Sequence, residues 1–171
     1  MEHSKRMSEL RIVPIERHHR EAARDVAFQV AYAFFGEGAP YAEWIERVRR
    51  SWLAPDVEFL DTYYTDHGGA FWVLLDGETV VGTCGVRHFD DGICELKRMY
   101  LLPAVRGQGW GRQMALVAIE WAREHGYCVM RLDTDRVLTR AIRLYRSLGF
   151  APIPRYNHSG ADLFFELKLD A

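Results

Sequence analysis

A glycine-rich turn in the middle of the chain constrains the fold more than any other feature. It spans residues 106–111 and reads Arg-Gly-Gln-Gly-Trp-Gly. The preceding residues, 94–101, have the pattern of a β-strand, and after the turn apolar residues recur at helical spacing from Met114 to Ala122. We therefore predict a strand, a tight turn and a helix. Such a turn directs several backbone N–H groups at one point beside the positive end of the helix dipole, which is typical of a phosphate-binding site.

Two common nucleotide-binding motifs do not fit this turn. A Rossmann fingerprint has the spacing G-x-G-x-x-G, and its last glycine would fall on Arg112 when counted from Gly107. Counted from Gly109, it would fall on Met114. A P-loop ends in Gly-Lys-Ser/Thr, whereas Arg112 follows the last glycine here. The motif that remains is Arg-x-x-Gly-x-Gly, and a turn with only a structural role is the alternative.

The length and charge of the chain exclude several classes of protein. Its 171 residues fit one domain of ordinary size. The formal net charge is −2, from 22 basic and 24 acidic side chains, so no overall field attracts nucleic acid or an anionic membrane. We therefore expect neither nucleic acid nor a membrane as a partner.

The N-terminal sequence and the cysteines indicate a cytoplasmic protein. Residues 1–9 are polar and lack the apolar stretch of a signal peptide, and no run approaches the ~18 apolar residues of a membrane span. Cys84, Cys94 and Cys128 show no C-x-x-C spacing, and the histidines show no ligand spacing, so we expect neither a disulfide nor a metal site. We expect all three thiols to be reduced and buried.

The order of predicted elements indicates an α+β fold with a mixed sheet. From residue 70 the pattern changes to a period of two with Asp-Gly turns, which predicts an antiparallel meander of three strands. The predicted strands are residues 10–13, 71–76, 79–89, 93–102, 127–132, 150–153 and 163–169, and the predicted helices are residues 18–35, 41–53, 109–126 and 138–148. Residues 56–67 have the weakest pattern and are predicted as a short helical turn and a loop.

Two motifs together resemble those of the GCN5-related N-acetyltransferase (GNAT) family. The first is Arg-x-x-Gly-x-Gly, which binds the pyrophosphate of acetyl-coenzyme A in that family. The second is Ala-x-x-Leu-Tyr-x-x-x-Gly-Phe at residues 141–150. The order of elements agrees with the family over about residues 9–169, as a single domain, and leaves residues 1–8 as a polar N-terminal tail. The resemblance implies a mostly antiparallel sheet of about seven strands, flanked by about four helices, in which strands four and five splay apart.

By this resemblance, acetyl-coenzyme A binds along the fourth strand and the turn. The strand backbone would pair with the pantetheine arm, and the turn would hold the pyrophosphate, supplemented by two arginine side chains. The implied cofactor-binding residues are Met99, Tyr100, Leu101, Arg106, Gly107, Gln108, Gly109, Trp110, Gly111 and Arg112. One position departs from the family pattern, because Leu138 replaces the asparagine that commonly helps to order the cofactor arm.

Tyr145, in the second motif, is the candidate general acid for the leaving thiolate. The family often uses a tyrosine at this point, and a phenol with a pKa near 10 is mostly protonated at neutral pH. The alternative is that Tyr145 belongs only to the apolar face of its helix.

Glu95, in the fourth strand, is the candidate general base for the amine, since the family often places a glutamate there. A period of two puts it on the same face as Lys97, Met99 and Leu101, where desolvation would favour its protonated form. The alternative is a surface ion pair with Lys97 or Lys168. Among the histidines, only His88 is retained as a second candidate base.

The first two helices and the loop before the last strand border the splayed strands in the family, so we expect them to form the acceptor site. Aromatic side chains there suit an amine through cation–π attraction. The candidates are Tyr32, Phe34, Phe35, Tyr41, Trp44, Tyr63 and Tyr64, together with residues 154–158.

The resemblance implies an N-acetyltransferase that moves the acetyl group of acetyl-coenzyme A directly to a primary amine of a small molecule or an amino acid. A covalent acyl-enzyme is not expected, because no cysteine between the two motifs has a base beside it. The alternatives are acetylation of a protein or aminoacyl-tRNA amine, and a non-catalytic sensor that binds acyl-coenzyme A. Whether the chain forms a homodimer is left open.

Overall fold

A seven-stranded mixed sheet forms the centre of the structure, a computed structural model that describes residues 9–51 and 55–169. The strands are β1 (Leu10–Pro14), β2 (Ala70–Asp76), β3 (Thr79–Asp90), β4 (Ile93–Leu101), β5 (Val129–Thr134), β6 (Ala151–Pro152) and β7 (Leu163–Lys168). They follow the order β1-β2-β3-β4-β5-β7-β6, and every neighbouring pair is antiparallel except β4 and β5. The predicted α+β fold with a mixed, mostly antiparallel sheet of seven strands is confirmed.

The described residues contain six α-helices, where the sequence predicted about four. They are α1 (Arg20–Phe35), α2 (Tyr41–Arg50), α3 (Pro55–Glu58), α4 (Leu60–Asp66), α5 (Trp110–Glu124) and α6 (Thr139–Ser147). The additional helices are α3 and α4, in which Val57, Leu60 and Tyr64 recur at helical spacing and are all buried. The predicted end of the second helix, residue 53, and the predicted tail, residues 1–8, lie outside the described residues.

Helices cover both faces of the sheet. On one face, Leu74 and Leu96 of the sheet are buried in the same apolar cluster as Met114 of α5. On the other face, Val73 lies in a cluster with side chains of α1 and α4. Burying both faces is the usual requirement for a sheet with a central parallel pair. No helix in residues 9–51 or 55–169 is long and apolar enough to cross a membrane.

Strand β5 begins two residues later than predicted, and this leaves Cys128 exposed. After α5, Gly126 adopts a left-handed φ of 80°, and the N–H of Tyr127 donates to the carbonyl of Ala122 at 3.0 Å. Tyr127 and Cys128 therefore belong to the connection rather than to the strand. The expectation of three buried thiols is correct for the other two cysteines and wrong for Cys128.

A β-bulge interrupts the alternation of β4. Gly85 of β3 lies opposite Lys97, but Thr83 lies opposite Tyr100, so β4 contains one residue more than β3 across this step. Arg98 takes up the extra residue with a left-handed φ of 51°, which is rare for a residue other than glycine.

The bulge changes which side chains share a face. Met99 and Leu101 pack against the cluster beneath α5, as Leu96 does before the bulge. Glu95 precedes Leu96 in regular strand geometry and therefore points to the opposite face. The expectation that Glu95, Met99 and Leu101 lie on one face is wrong, because a period of two does not continue through a bulge.

A buried ion pair holds the bulge in place. The Arg98 guanidinium donates two hydrogen bonds of 2.7 Å to the two carboxylate oxygens of Asp56 in α3. Tyr64 donates a third hydrogen bond to Asp56 Oδ2 at 2.7 Å, and Thr83 Oγ1 donates to the Arg98 carbonyl at 2.8 Å. Burial opposes ionisation of Asp56, but the hydrogen bonds and charge of Arg98 outweigh it and hold the carboxyl pKa below its usual value.

Replacing Asp56 with alanine should lower the free energy of unfolding by roughly 3 kcal/mol, because the variant removes the carboxylate that accepts from Arg98 and Tyr64. Urea denaturation followed by circular dichroism measures this change. Asp25→Ala, at an exposed site of α1, is the matched control and should change the free energy by less than about 0.5 kcal/mol. Equal effects of the two substitutions would contradict the role given to Asp56.

The same substitution should lose its effect in acid. Because the folded-state pKa of Asp56 is lowered, its contribution is complete above the ordinary carboxyl pKa of about 3.9 and disappears as the pH falls through the lower folded value. The unfolding free energies of the Asp56→Ala variant and the wild type should therefore converge at pH values below the folded-state pKa of Asp56.

Candidate active site

The turn before α5 presents a row of unpaired backbone donors. Gly107 and Gly109 have left-handed φ angles of 74° and 87°, which glycine adopts without strain. Among the described residues, no backbone carbonyl accepts a hydrogen bond from the N–H groups of residues 107–112. A Cβ added at either glycine would meet no atom within 4 Å, so the backbone is open on that side. The turn therefore fits an anion at the positive end of the α5 dipole.

Side chains attach this turn to its surroundings. Arg106 Nε donates to the carbonyl of Leu101 at 2.8 Å, and Gln108 Nε2 donates to the carbonyl of Ala104 at 3.0 Å. Burial, together with the nearby charge of Arg140, lowers the pKa of Arg106. Arg106 thus braces the turn against the end of β4.

The start of α5 lies against α6. Arg112 Nη1 is 3.3 Å from Ser147 Oγ, and Trp110 packs on the apolar cluster beneath α5. A Cβ added at Gly111 would lie 3.4 Å from the Leu144 side chain, so a glycine here permits close helix packing.

Strands β4 and β5 separate beyond Glu95. Their parallel pairing covers three residues of β4 and ends at Glu95 opposite Arg131. Strand β4 continues to Leu101 and β5 to Thr134 without a further pair between them in the described residues. The predicted splay is confirmed, and it leaves the backbone of Met99, Tyr100 and Leu101 on an edge that faces a gap. The gap ends at the glycine-rich turn.

Glu95 is completely buried beside this gap. Its Oε2 accepts a hydrogen bond from Arg87 Nε at 2.8 Å, and its Oε1 accepts one from Tyr156 Oη at 2.9 Å. Arg87 is the residue directly opposite Glu95 on β3, which explains the pair. The alternative of a surface ion pair with Lys97 or Lys168 is wrong.

A second carboxylate lies on the other side of the gap, on β5. Asp133 Oδ1 is 3.1 Å from Lys97 Nζ, so this ion pair spans the two separated strands. Asn157 Nδ2 donates to Asp133 Oδ2 at 2.7 Å and to Glu95 Oε1 at 3.4 Å. Burial alone would raise the pKa of Asp133, but the charge of Lys97 and hydrogen bonds from Ser159 and Asn157 lower it overall. The sequence patterns did not single out Asp133, which directly follows the strand predicted to end at Leu132.

The loop of residues 153–162, between β6 and β7, closes this end of the gap. Tyr156 and Asn157 carry its contacts with the two carboxylates. Burial and the neighbouring charge of Glu95 raise the pKa of Tyr156, so its phenol is protonated at neutral pH. The predicted acceptor residues 154–158 therefore include two that reach the Glu95 carboxylate.

Tyr145 is the buried residue of α6, and its ring centroid lies 5.8 Å from that of Phe150. Its hydroxyl makes no hydrogen bond within the part of the chain that the structure describes, and it lies in electrostatic range of Tyr100 and Asp133. Burial raises the pKa of Tyr145, so the phenol keeps its proton. Leu138 is the N-cap residue of α6. Because its side chain is apolar, it makes no capping hydrogen bond.

The other candidate base, His88, does not join the Glu95 cluster. It lies near the end of β3, where its Nδ1 is 3.5 Å from the Tyr127 hydroxyl. No group of three or more His, Cys, Asp or Glu side chains gathers in residues 9–51 and 55–169 as a metal site would require.

The aromatic residues predicted for the acceptor site divide into three sets. Tyr64 is fully buried, and its hydroxyl donates to Asp56, the partner of Arg98 in the bulge. It therefore does not line a site. Tyr63 stacks on His67 and lies 3.4 Å from Arg87 Nη1, which places it beside the Glu95 pair. The remaining aromatic residues lie at the junction of α1 and α2, where the Tyr32 ring packs on those of Tyr41 and Trp44, and Phe34 and Phe35 are exposed.

Two relatives share substantial sequence identity with this chain. The uncharacterized N-acetyltransferase YjgM of Escherichia coli is 41% identical over 102 residues, which are 58% of this chain and 61% of that protein. N-acetylaspartate synthetase of Rattus norvegicus is 36% identical over 109 residues, which are 62% of this chain and 36% of that protein. The chain thus spans less than two thirds of the length of either relative.

Solved structures share the fold at lower identity. A GNAT acetyltransferase of Staphylococcus aureus superposes with a TM-score of 0.80 at 20% identity, over 95% of this chain and 100% of that chain. The PaiA N-acetyltransferase of Thermoplasma acidophilum, solved in complex with coenzyme A, superposes with a TM-score of 0.74 at 19% identity, over 94% of this chain and 99% of that chain. Residues 38–150 match the sequence model of the acetyltransferase (GNAT) family. The chain therefore belongs to the GNAT acetyltransferase family.

Proposed function

We propose that this protein is an N-acetyltransferase that moves the acetyl group of acetyl-coenzyme A directly to a primary amine of a small molecule or an amino acid. The observation that carries the proposal is the continuity of the open β4 edge with the unpaired N–H groups of residues 107–112. An edge of amide groups suits the amide-bearing pantetheine arm, and the turn suits its pyrophosphate. The coenzyme A complex of the PaiA neighbour supports this choice of cofactor.

The proposed cofactor residues are Met99, Tyr100, Leu101, Gly107, Gln108, Gly109, Trp110, Gly111 and Arg112, with Arg106 as a brace. The thioester would supply the acetyl group and a thiolate leaving group. The chain must then remove a proton from the acceptor ammonium and provide one for the thiolate.

Glu95 is the proposed base, and Tyr156 connects it to the acceptor. The carboxylate has no exposed surface, so a proton must reach it through a hydrogen-bonded neighbour. The Tyr156 hydroxyl, 2.9 Å away, gives its own proton to Glu95 while it accepts one from the ammonium. Because the pKa of Tyr156 is raised, the phenol remains neutral before and after this transfer. Arg87 holds Glu95 in place.

Tyr145 is the proposed acid for the thiolate. Its raised pKa keeps the phenol protonated until the thiolate forms, and its hydroxyl has no hydrogen bond in the described residues that would have to break. The cysteines do not offer a competing covalent route, since burial raises the pKa of the Cys84 thiol to about 12 and that of the Cys94 thiol to about 12. Cys128 precedes β5 at the end opposite the gap.

An amino acid is the acceptor class that we favour. The relative named N-acetylaspartate synthetase supports it.

A screen of amines with acetyl-coenzyme A and detection of the released thiol tests the proposed reaction. We expect thiol release with one class of primary amine, and a thermal shift with coenzyme A alone. A thermal shift without turnover on any amine or protein would favour an acyl-coenzyme A sensor. No thermal shift with coenzyme A would overturn the assignment.

Replacing Glu95 with glutamine should lower kcat by at least about 100-fold, because the amide cannot take up the ammonium proton. The Kd of coenzyme A, measured by calorimetry, should change by less than about twofold, since Glu95 lies outside the open edge. Tyr156→Phe keeps the Glu95 carboxylate but removes the hydroxyl that would relay the proton, and it should also lower kcat. Glu120→Gln on the surface of α5 is the control. Unchanged turnover of Glu95→Gln at every pH would remove Glu95 from the mechanism.

Tyr145→Phe should lower kcat by about tenfold or more and leave the melting temperature almost unchanged, because the hydroxyl makes no hydrogen bond in the described fold. Tyr127→Phe is a matched control, since its hydroxyl donates to the Gly68 carbonyl at 2.8 Å away from the gap. That control should affect stability more than turnover. If Tyr145→Phe retained full kcat, Tyr145 would have only a packing role.

A further inference from the structure

The arginines beside the turn differ from most others in the protein. Elsewhere arginines commonly pair with a carboxylate, as Arg11 does with Glu78 and Arg131 does with Glu166. In the described part of the chain, no carboxylate lies within ion-pair distance of Arg112, Arg140 or Arg143. The sequence around them explains this, because neither residues 101–119 nor residues 136–161 contain an aspartate or glutamate.

These arginines form one surface along α6. Arg140, Arg143 and Ser147 recur at spacings of three and four residues and therefore share a helix face. The two ends of that face adjoin the turn, since Arg140 lies close enough to Arg106 to lower its pKa and Ser147 contacts Arg112. Arg112, Arg140 and Arg143 are all exposed, so their guanidinium groups are available to a ligand.

A cluster of positive charges without paired carboxylates attracts an anion. Guanidinium groups bind phosphate oxygens in pairs of parallel hydrogen bonds, and a phosphate monoester carries a charge of about −1.5 to −2 at neutral pH. The unpaired N–H groups of residues 107–112 are the donors proposed for the pyrophosphate. Coenzyme A has one further phosphate, a monoester on its ribose.

We propose that Arg112, Arg140 and Arg143 bind the ribose 3′-phosphate of coenzyme A, and that they make the protein select coenzyme A over dephospho-coenzyme A. The inference rests on the proposed function only in its choice of cofactor. Arg106 is not part of this subsite, because its Nε is engaged by the Leu101 carbonyl.

Calorimetric titration with coenzyme A and with dephospho-coenzyme A tests the subsite without any turnover. The wild type should bind coenzyme A about tenfold or more tightly than dephospho-coenzyme A, as expected for charge-assisted hydrogen bonds to one phosphate. The double variant Arg140→Gln, Arg143→Gln should lose this preference, with the Kd of dephospho-coenzyme A changed by less than about twofold. Added salt should weaken coenzyme A binding more in the wild type than in the variant.

Arg146→Gln provides the matched control, because Arg146 is on the same helix but lies over the Phe165 ring, 6.0 Å from its centroid. It removes the same charge and should leave the preference intact. Equal affinity of the wild type for both ligands would overturn the subsite while leaving the proposed function standing. An equal loss of both affinities in the double variant would also overturn it, because the arginines would then act on the pyrophosphate. Failure of the wild type to bind either ligand would overturn both proposals.

Discussion

The separation of β4 and β5 beyond Glu95 is the constraint on which the rest of the structure depends. Two central strands that stop pairing leave backbone groups that need other partners, which is costly in the middle of a sheet. The two ends of the gap differ in whether other groups of the protein fill it. Near Glu95, the Lys97–Asp133 ion pair and the loop of residues 153–162 fill it. Toward Leu101, the edge remains open and runs into the glycine-rich turn. One interruption of the sheet thereby produces both a polar cluster and a docking edge.

The distribution of charge follows the same division. Three carboxylates beside β4 are buried or nearly so, and each faces a cation from β3 or β4, in the pairs Asp56 with Arg98, Glu95 with Arg87, and Asp133 with Lys97. Pairing of this kind keeps charges inside the fold that would be very unfavourable alone. Around the turn, by contrast, Arg112, Arg140 and Arg143 have no carboxylate at ion-pair distance in the described residues. The polar cluster is thus close to neutral and the turn is cationic, a distribution that suits the proposed cofactor with its phosphates at the turn.

Much of this arrangement was predictable from the sequence because it depends on local patterns. The glycine-rich turn and the Tyr145 motif indicated the family, the order of elements predicted the mixed sheet, and the resemblance to the family implied its splay. The bulge at Arg98 was not predictable, because a left-handed arginine is stabilised by Asp56, 42 residues away in sequence. The ion-pair partner of Glu95 was also not predictable from the sequence. The register that places Arg87 opposite Glu95 depends on how β3 and β4 pair in the folded sheet. Asp133 was missed because its importance arises only when Asn157 of the predicted acceptor loop folds over the gap.

The positions of the proposed acid and base follow from the interrupted sheet. Tyr145 belongs to the apolar cluster beneath α5 and α6, together with Cys94 and Leu96 of β4. Glu95 stands between those two residues in the strand, so its side chain projects from the opposite face. In a continuous sheet the backbone would separate the two groups, and no single reaction could use both. Because β5 departs from β4 just beyond Glu95, the gap connects the two faces, so a thioester entering along β4 can meet an amine from the loop side. Direct transfer between two substrates is therefore the chemistry that this geometry favours.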